Sequence, residues 1–162
     1  MMPLLVPVAA GDIDAVTDFL RDVDLTLSGL ASDSTHLWIE RDEAGYIVAS
    51  TGFELSNHRQ HALNHRQHAL IRSVAVNPSA RSKGSGSRLA RFALDRVADG
   101  GARTAWLFSR RSGPFWQKLG FEHADSFELD QALRDTHQVR LFSESGQLDR
   151  EVAWSRPLSR CG

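Results

Sequence analysis

The sequence predicts an α/β fold with a mixed sheet, from three patterns. Apolar residues fall at helical spacing early in the chain, two runs of β-branched and aromatic residues flank a turn, and a strand, tight loop, helix and strand then follow in order. Between residues 12 and 24 the apolar positions Ile13, Val16, Phe19, Leu20 and Val23 recur every three or four residues, as in an amphipathic helix lying on a sheet, with Asp12 as its N-cap. Strand-like runs at Thr35–Arg41 and 46–55 are separated by Asp42-Glu43-Ala44-Gly45, a hairpin turn. A third run, 70–76, stops at Asn77-Pro78, where proline cannot continue a ladder. A polar segment at 79–86 leads to a helix with Leu89, Phe92, Ala93 and Val97 on one face, ended by Gly100-Gly101. Thr104–Phe108 reads as a short buried strand, so it and 70–76 are expected to be parallel and joined right-handedly as a βαβ unit. A short helix at 113–119, a strand from Phe121, a helix around 131–139 and a last strand near 148–155 complete the pattern.

At 162 residues and 18.0 kDa the chain has the size of one domain, 1–162, able to bury one core. No apolar run approaches the ~20 residues of a membrane span. The first ten residues carry Pro3 and Pro7 and no basic region, so no membrane partner and a cytoplasmic location are expected. With 19 Lys and Arg against 20 Asp and Glu, a net charge of −1 and a pI near 6.6, the chain has no global field to draw nucleic acid. Arg88, Arg91 and Arg96 therefore read as a solvated helix face, and no nucleic-acid partner is expected. The single cysteine, Cys161, excludes an intrachain disulfide and a Cys-based zinc knuckle.

Residues 57–63 read NHRQHAL and residues 64–70 repeat it without change. Two copies are too few for a repeat architecture, so the duplication reads as an insertion into the loop before the 70–76 strand. A seven-residue insertion inside a strand would turn every later side chain to the other face, so the extra copy is expected to loop out or coil. His58, His61, His65 and His68 step by three, four and three, which on a helix would line up four imidazoles. Such a stripe could bind zinc, nickel or copper, but no carboxylate or cysteine interleaves, and no metal site is expected.

The segment Val76-Asn77-Pro78-Ser79-Ala80-Arg81-Ser82-Lys83-Gly84-Ser85-Gly86-Ser87 lies between a strand and a helix. Gly84 and Gly86 let backbone approach a ligand, the amides at the helix start lack intrahelical acceptors, and the dipole is positive there. A Walker loop would need Lys directly after the last Gly, and a dinucleotide fingerprint a third Gly where Leu89 stands. The pattern V-x-P-x-x-R-x-x-G-x-G resembles the acetyl-CoA pyrophosphate motif of the GNAT superfamily of N-acetyltransferases. Phe115-Trp116-Gln117-Lys118-Leu119-Gly120-Phe121 is similar to that family's second signature.

The resemblance implies a mixed, mostly antiparallel sheet of about seven strands with a central splayed parallel pair and flanking helices. It implies acetyl-CoA as co-substrate, with backbone groups of Val74, Ala75 and Val76 along the pantetheine arm. Amides of Arg81, Ser82, Lys83, Gly84, Ser85, Gly86 and Ser87 would then hold the pyrophosphate, and the helix beginning near Ser112 would flank the arm. A homodimer through sheet edges is the implied partner form.

Direct acetyl transfer needs a neutral amine, a stabilised oxyanion and a proton for the departing thiolate. Where family members commonly place a Tyr donor this chain has Trp116, whose N–H is not a useful acid. Ser109, Ser112 or water would have to deliver that proton. Glu54, near the end of the strand neighbouring 70–76, is the candidate catalytic base, against a solvated hairpin-end glutamate as the alternative. Arg72 sits within an apolar strand, where a charge must pair, snorkel or face a cleft. It is the candidate substrate-binding residue as a carboxylate clamp, with a structural ion pair equally open.

The expected activity is acetyl transfer from acetyl-CoA to a primary amine of a small molecule. Phe115-Trp116 and the tail Ala132-Leu133, Thr136 and Gln138 are similar to a subgroup tied to arsenic resistance and amino-acid-like toxins. The alternative is a catalytically degenerate acetyl-CoA-binding module acting as sensor or interaction protein.

Overall fold

A computed structural model describes residues 5–56, 68–80 and 84–158. Among the described residues seven strands form one sheet: β1 (Val6–Pro7), β2 (Thr35–Arg41), β3 (Ile47–Leu55), β4 (His68–Val76), β5 (Thr104–Phe108), β6 (Glu122–Ala124) and β7 (Ala153–Pro157). Their order is β1-β2-β3-β4-β5-β7-β6. Only the central β4–β5 pairing is parallel, as the βαβ pattern requires.

Among the described residues five α-helices cover the faces: α1 (Ile13–Asp22), α2 (Ser85–Asp99), α3 (Gly113–Lys118), α4 (Ser126–Leu133) and α5 (His137–Ser145). Strand side chains alternate between faces, and β4 shows the consequence. Ala69 and Ile71 pack with Ala90, Leu94 and Trp116 of α2 and α3. Leu70 instead packs with Leu129, Leu133 and Val139 of α4 and α5. At the β2–β3 end, Val16, Phe19 and Leu20 of α1 bury against Leu37, Ile39 and Ile47. A fully buried leucine such as Leu89 contributes roughly 2 kcal/mol over an exposed one.

Three expectations are corrected. Asp12 does not cap α1: its carboxylate accepts the Ala9 N–H at 2.9 Å and pairs with Arg41 at 2.8 Å, closing a 3-10 turn at Ala10–Asp12. The helix expected around 131–139 is two helices. Asp125 caps α4 by accepting the Phe127 N–H at 2.7 Å, and extended backbone at Thr136 breaks the chain before α5. The last strand starts at Ala153, after a 3-10 turn at Gln147–Arg150.

β4 begins at His68, inside the second heptad copy. The Trp106 indole N–H donates to His68 Nδ1 at 3.1 Å, fixing that nitrogen as an unprotonated acceptor, and burial pulls the imidazole below its usual range. The fate of the extra copy, with His58, His61 and His65, lies outside the described residues. Among the described residues no group of three or more His, Cys, Asp or Glu could hold a metal ion, and no helix is long and apolar enough to cross a membrane.

Candidate functional site

The site originates in a fault in the β3–β4 ladder. Ser50 faces Ala75 and Gly52 faces Arg72, so Thr51 opposes both Ser73 and Val74. This is a β-bulge, which bends the bulged strand. Ser73 takes a left-handed φ of +61°, and its carbonyl accepts the Ser50 hydroxyl at 2.6 Å. The parallel ladder to β5 runs only from His68↔Thr104 to Leu70↔Trp106. The two strands have parted before β4 reaches the bulge.

A cleft of about 430 Å³ opens there. Val74, Ala75 and Val76 form one wall and Ser109, Arg110, Arg111 and Ser112 the other, with Asp24 and Thr26 at one side and Gln138, Phe142 and Glu151 at another. A deeper recess of about 150 Å³ lies between Arg72–Val74 and Leu107–Ser109, closed by Trp116. Ser109 Oγ accepts the Ser112 N–H at 3.0 Å, and its carbonyl accepts the Trp154 indole N–H at 2.9 Å.

Beyond Val76 the chain turns into α2. Gly84, with φ +87°, is the N-cap of α2 and has no side chain to cap it. The Cβ position of Gly84 is open, whereas a Cβ on Gly86 would stand 3.3 Å from the Phe115 ring. Gly86 thus lets α2 sit close against the Phe115 ring of α3. A two-pronged bond from Arg88 to the buried Glu40 of β2 holds the helix start in place. Of the basic stripe, Arg88 is engaged in this way, and Arg96 lies over the rings of Phe92 and Trp38 at 4.9 and 6.0 Å. Arg81, Ser82 and Lys83 lie outside the described residues.

Glu54 and Arg72 occur together but not as an open base and an open clamp. Glu54 is fully buried rather than solvated. Its carboxylate accepts Arg72 Nη1 at 3.0 Å and the backbone N–H groups of His137 and, at 3.4 Å, Gln138 at the start of α5. Arg72 continues to the Thr26 carbonyl at 3.2 Å and the Ser73 hydroxyl at 3.4 Å. Burial pulls the guanidinium down from its usual range and Glu54 opposes that pull; an arginine stays charged regardless. Gln138 closes the ring by donating to Thr26 Oγ1 at 3.0 Å. One buried ion pair therefore ties β3, β4, α5 and the loop after α1 around the recess.

The structure brings Arg72, Val74, Ala75, Val76 and Ser112 to the cavities and leaves Glu54 behind them. Thr26, Ser73, Arg110 and Glu151 are cleft residues that the sequence did not single out. Thr26, Arg110 and Glu151 come from loops distant in the chain, with no motif to join them, and Ser73 from β4, where a polar serine inside an apolar strand is a faint sign of a bulge.

Residues 12–121 match the model of the acetyltransferase (GNAT) family. No curated protein matches the chain. Among solved structures, Rv2747 from Mycobacterium tuberculosis in complex with CoA and NLQ is similar with a TM-score of 0.72 at 15% identity, covering 97% of this chain and 100% of that one. N-acetylglutamate synthase from Neisseria gonorrhoeae, complexed with coenzyme A and N-acetyl-glutamate, gives 0.67 at 17% identity and covers 99% of this chain. The chain spans only 36% of that synthase. The ribosomal-protein alanine N-acetyltransferase of Escherichia coli gives 0.64 at 16% identity, covering 99% of this chain and 97% of that one.

Proposed function

The chain belongs to the acetyltransferase (GNAT) family, and from that premise we propose that it transfers acetyl from acetyl-CoA to a primary amine of a small molecule. The observation that carries this is the end of the β4–β5 ladder at Leu70↔Trp106, after which Ala75 and Val76 pair with β3 beside an open cleft that Val74 also lines. Extended backbone along an open cleft fits a pantetheine arm. The N-terminal end of α2 beyond it, with glycine as its N-cap, fits a diphosphate.

Val74, Ala75 and Val76 would hold the arm, the amides of Arg81–Ser87 the diphosphate, and Ser112 would flank it. Acetyl-CoA supplies an activated thioester: the amine nitrogen bonds to the acetyl carbon, the carbon–sulfur bond breaks, and the sulfur leaves with a proton. A β4 amide beside the bulge would polarise the carbonyl. Ser109, whose Oγ already accepts the Ser112 N–H, would relay a proton to sulfur with water. Glu54, its oxygens committed to Arg72 and the α5 amides, serves in this scheme by holding those groups, and water takes the proton from the amine. Synthase and Rv2747 complexes with small ligands support a small acceptor. A cytoplasmic location and a homodimer through sheet edges belong to the same proposal.

A second reading, acetyl-CoA binding without turnover, is favoured by one residue. Trp116, where a tyrosine donor would stand, is 7% exposed and packed on Phe115 and Phe121. Thiol release from acetyl-CoA across an amine panel decides between them. Catalysis predicts release with some amines, whereas stabilisation by acetyl-CoA without release on any amine would favour the binding module.

A further inference from the structure

Once Arg72 is seen to be neutralised by Glu54, with 1% and 0% of their side chains exposed, the cleft must recognise its acceptor by other charges. Glu151 is the notable one. Its side chain is only 7% exposed, yet it lines the cleft, accepting a hydrogen bond from Gln147 Nε2 at 2.9 Å and standing 3.4 Å from Arg110 Nε as an ion pair. Arg110 is 54% exposed and reaches Glu151 by Nε alone, a long contact from a solvated side chain. Such pairs are weak, and a better-placed cation would displace the guanidinium. Arg111 lines the same space.

We propose that Glu151 and Arg110 are an exchangeable pair that selects an amino-carboxylate acceptor. In the encounter complex the acceptor ammonium takes Arg110's place on Glu151, and the released guanidinium, with Arg111, receives the acceptor carboxylate. The desolvated carboxylate keeps its Gln147 hydrogen bond throughout, so the cleft passes from one neutral pairing to another. A plain amine would leave both arginines without an anion, and an acid without an amine would leave Glu151 as it is. The proposal rests on the acetyltransferase reading and adds the acceptor's chemical class.

The experiment uses the full chain, acetyl-CoA, and two matched probe sets: the proteinogenic L-amino acids and their decarboxylated amines. It includes Glu151→Gln, Arg110→Ala and the double exchange Glu151→Arg with Arg110→Glu. Expected are turnover of one or more amino acids with kcat/KM at least about tenfold above the decarboxylated partner, and an acceptor KM raised about tenfold or more in Glu151→Gln. The double exchange keeps an ion pair, so its melting temperature returns toward wild type while its acceptor KM stays raised. Stabilisation by acetyl-CoA should be the same in all variants. Recovery of acceptor KM in the double exchange would show a merely structural pair and overturn the proposal. Equal use of amino acids and decarboxylated amines, or stabilisation by acetyl-CoA with turnover of neither set, overturns the acceptor class while sparing the cofactor reading. No stabilisation of the wild type overturns both.

Discussion

Glu54 and Arg72 share one buried ion pair, but the two halves are not equivalent when orphaned. Without Arg72, the carboxylate keeps the α5 amides and the positive end of that helix. Without Glu54, the guanidinium keeps one carbonyl at 3.2 Å and one hydroxyl at 3.4 Å. Glu54→Ala is therefore expected to cost about 3–5 kcal/mol in urea unfolding, and Arg72→Met, which removes the charge and retains volume, clearly less. Equal losses would place the pair's value in the bond itself rather than in what each partner keeps. Arg72 was legible as an anomaly, since a charge in an apolar strand needs a partner. Its partner was not, because Glu54 is a diagonal neighbour set by register, and the α5 amides lie 83 residues further along.

His68 gives a pH prediction. Burial sets its folded pKa below the model-peptide 6.5, so the unfolded chain binds the proton more readily. Its contribution to stability is complete above pH 6.5 and is lost as pH falls from there through the folded-state pKa. His68→Gln, which keeps an acceptor for Trp106, should flatten the fall in melting temperature between neutral pH and about pH 5. An unchanged slope would assign the acid sensitivity elsewhere.

Among the elements, the bulge in β4 matters most because it sets how the strand lines the cleft once its pairing with β5 has ended. Ser73 holds φ +61°, a region that costs a β-branched residue roughly 1–2 kcal/mol. Ser73→Val should thus lower the melting temperature and weaken stabilisation by acetyl-CoA together, with Ser73→Gly mild in both. A variant that loses stability but keeps the full acetyl-CoA effect would detach the bulge from the cleft. The strand order of β2 to β5 was legible, since turns and periodicities mark each one. The α4–α5 break was not: residues 131–139 keep a helical rhythm through Thr136, and what interrupts it is tertiary, the docking of α5 onto Glu54.

For the whole molecule, three layers meet at one opening. α2 and α3 on one face, α4 and α5 on the other, and the parted strands between them leave a cleft whose walls come from different parts of the chain. The glycine-bearing loop before α2 stands out in the sequence because it is contiguous, whereas Thr26, Arg110 and Glu151 do not, because they meet only through topology. Of the heptad duplication, the last three residues of the second copy, His68, Ala69 and Leu70, open β4.

The most direct test of the account is a thermal melt with and without acetyl-CoA, on the wild type and on Ser87→Glu. Gly86→Asp would be a poor control, since any Cβ there presses on Phe115. Ser87, in the first turn of α2, is where an acid suits the helix dipole while repelling a diphosphate. At a hundred times its Kd a ligand stabilises by about 2.7 kcal/mol, or about 5–10 °C for a domain of this size. The account predicts that shift in the wild type and its loss in Ser87→Glu, with the variant melting unliganded at or above wild type. An equal shift in both, or none in the wild type, would contradict it.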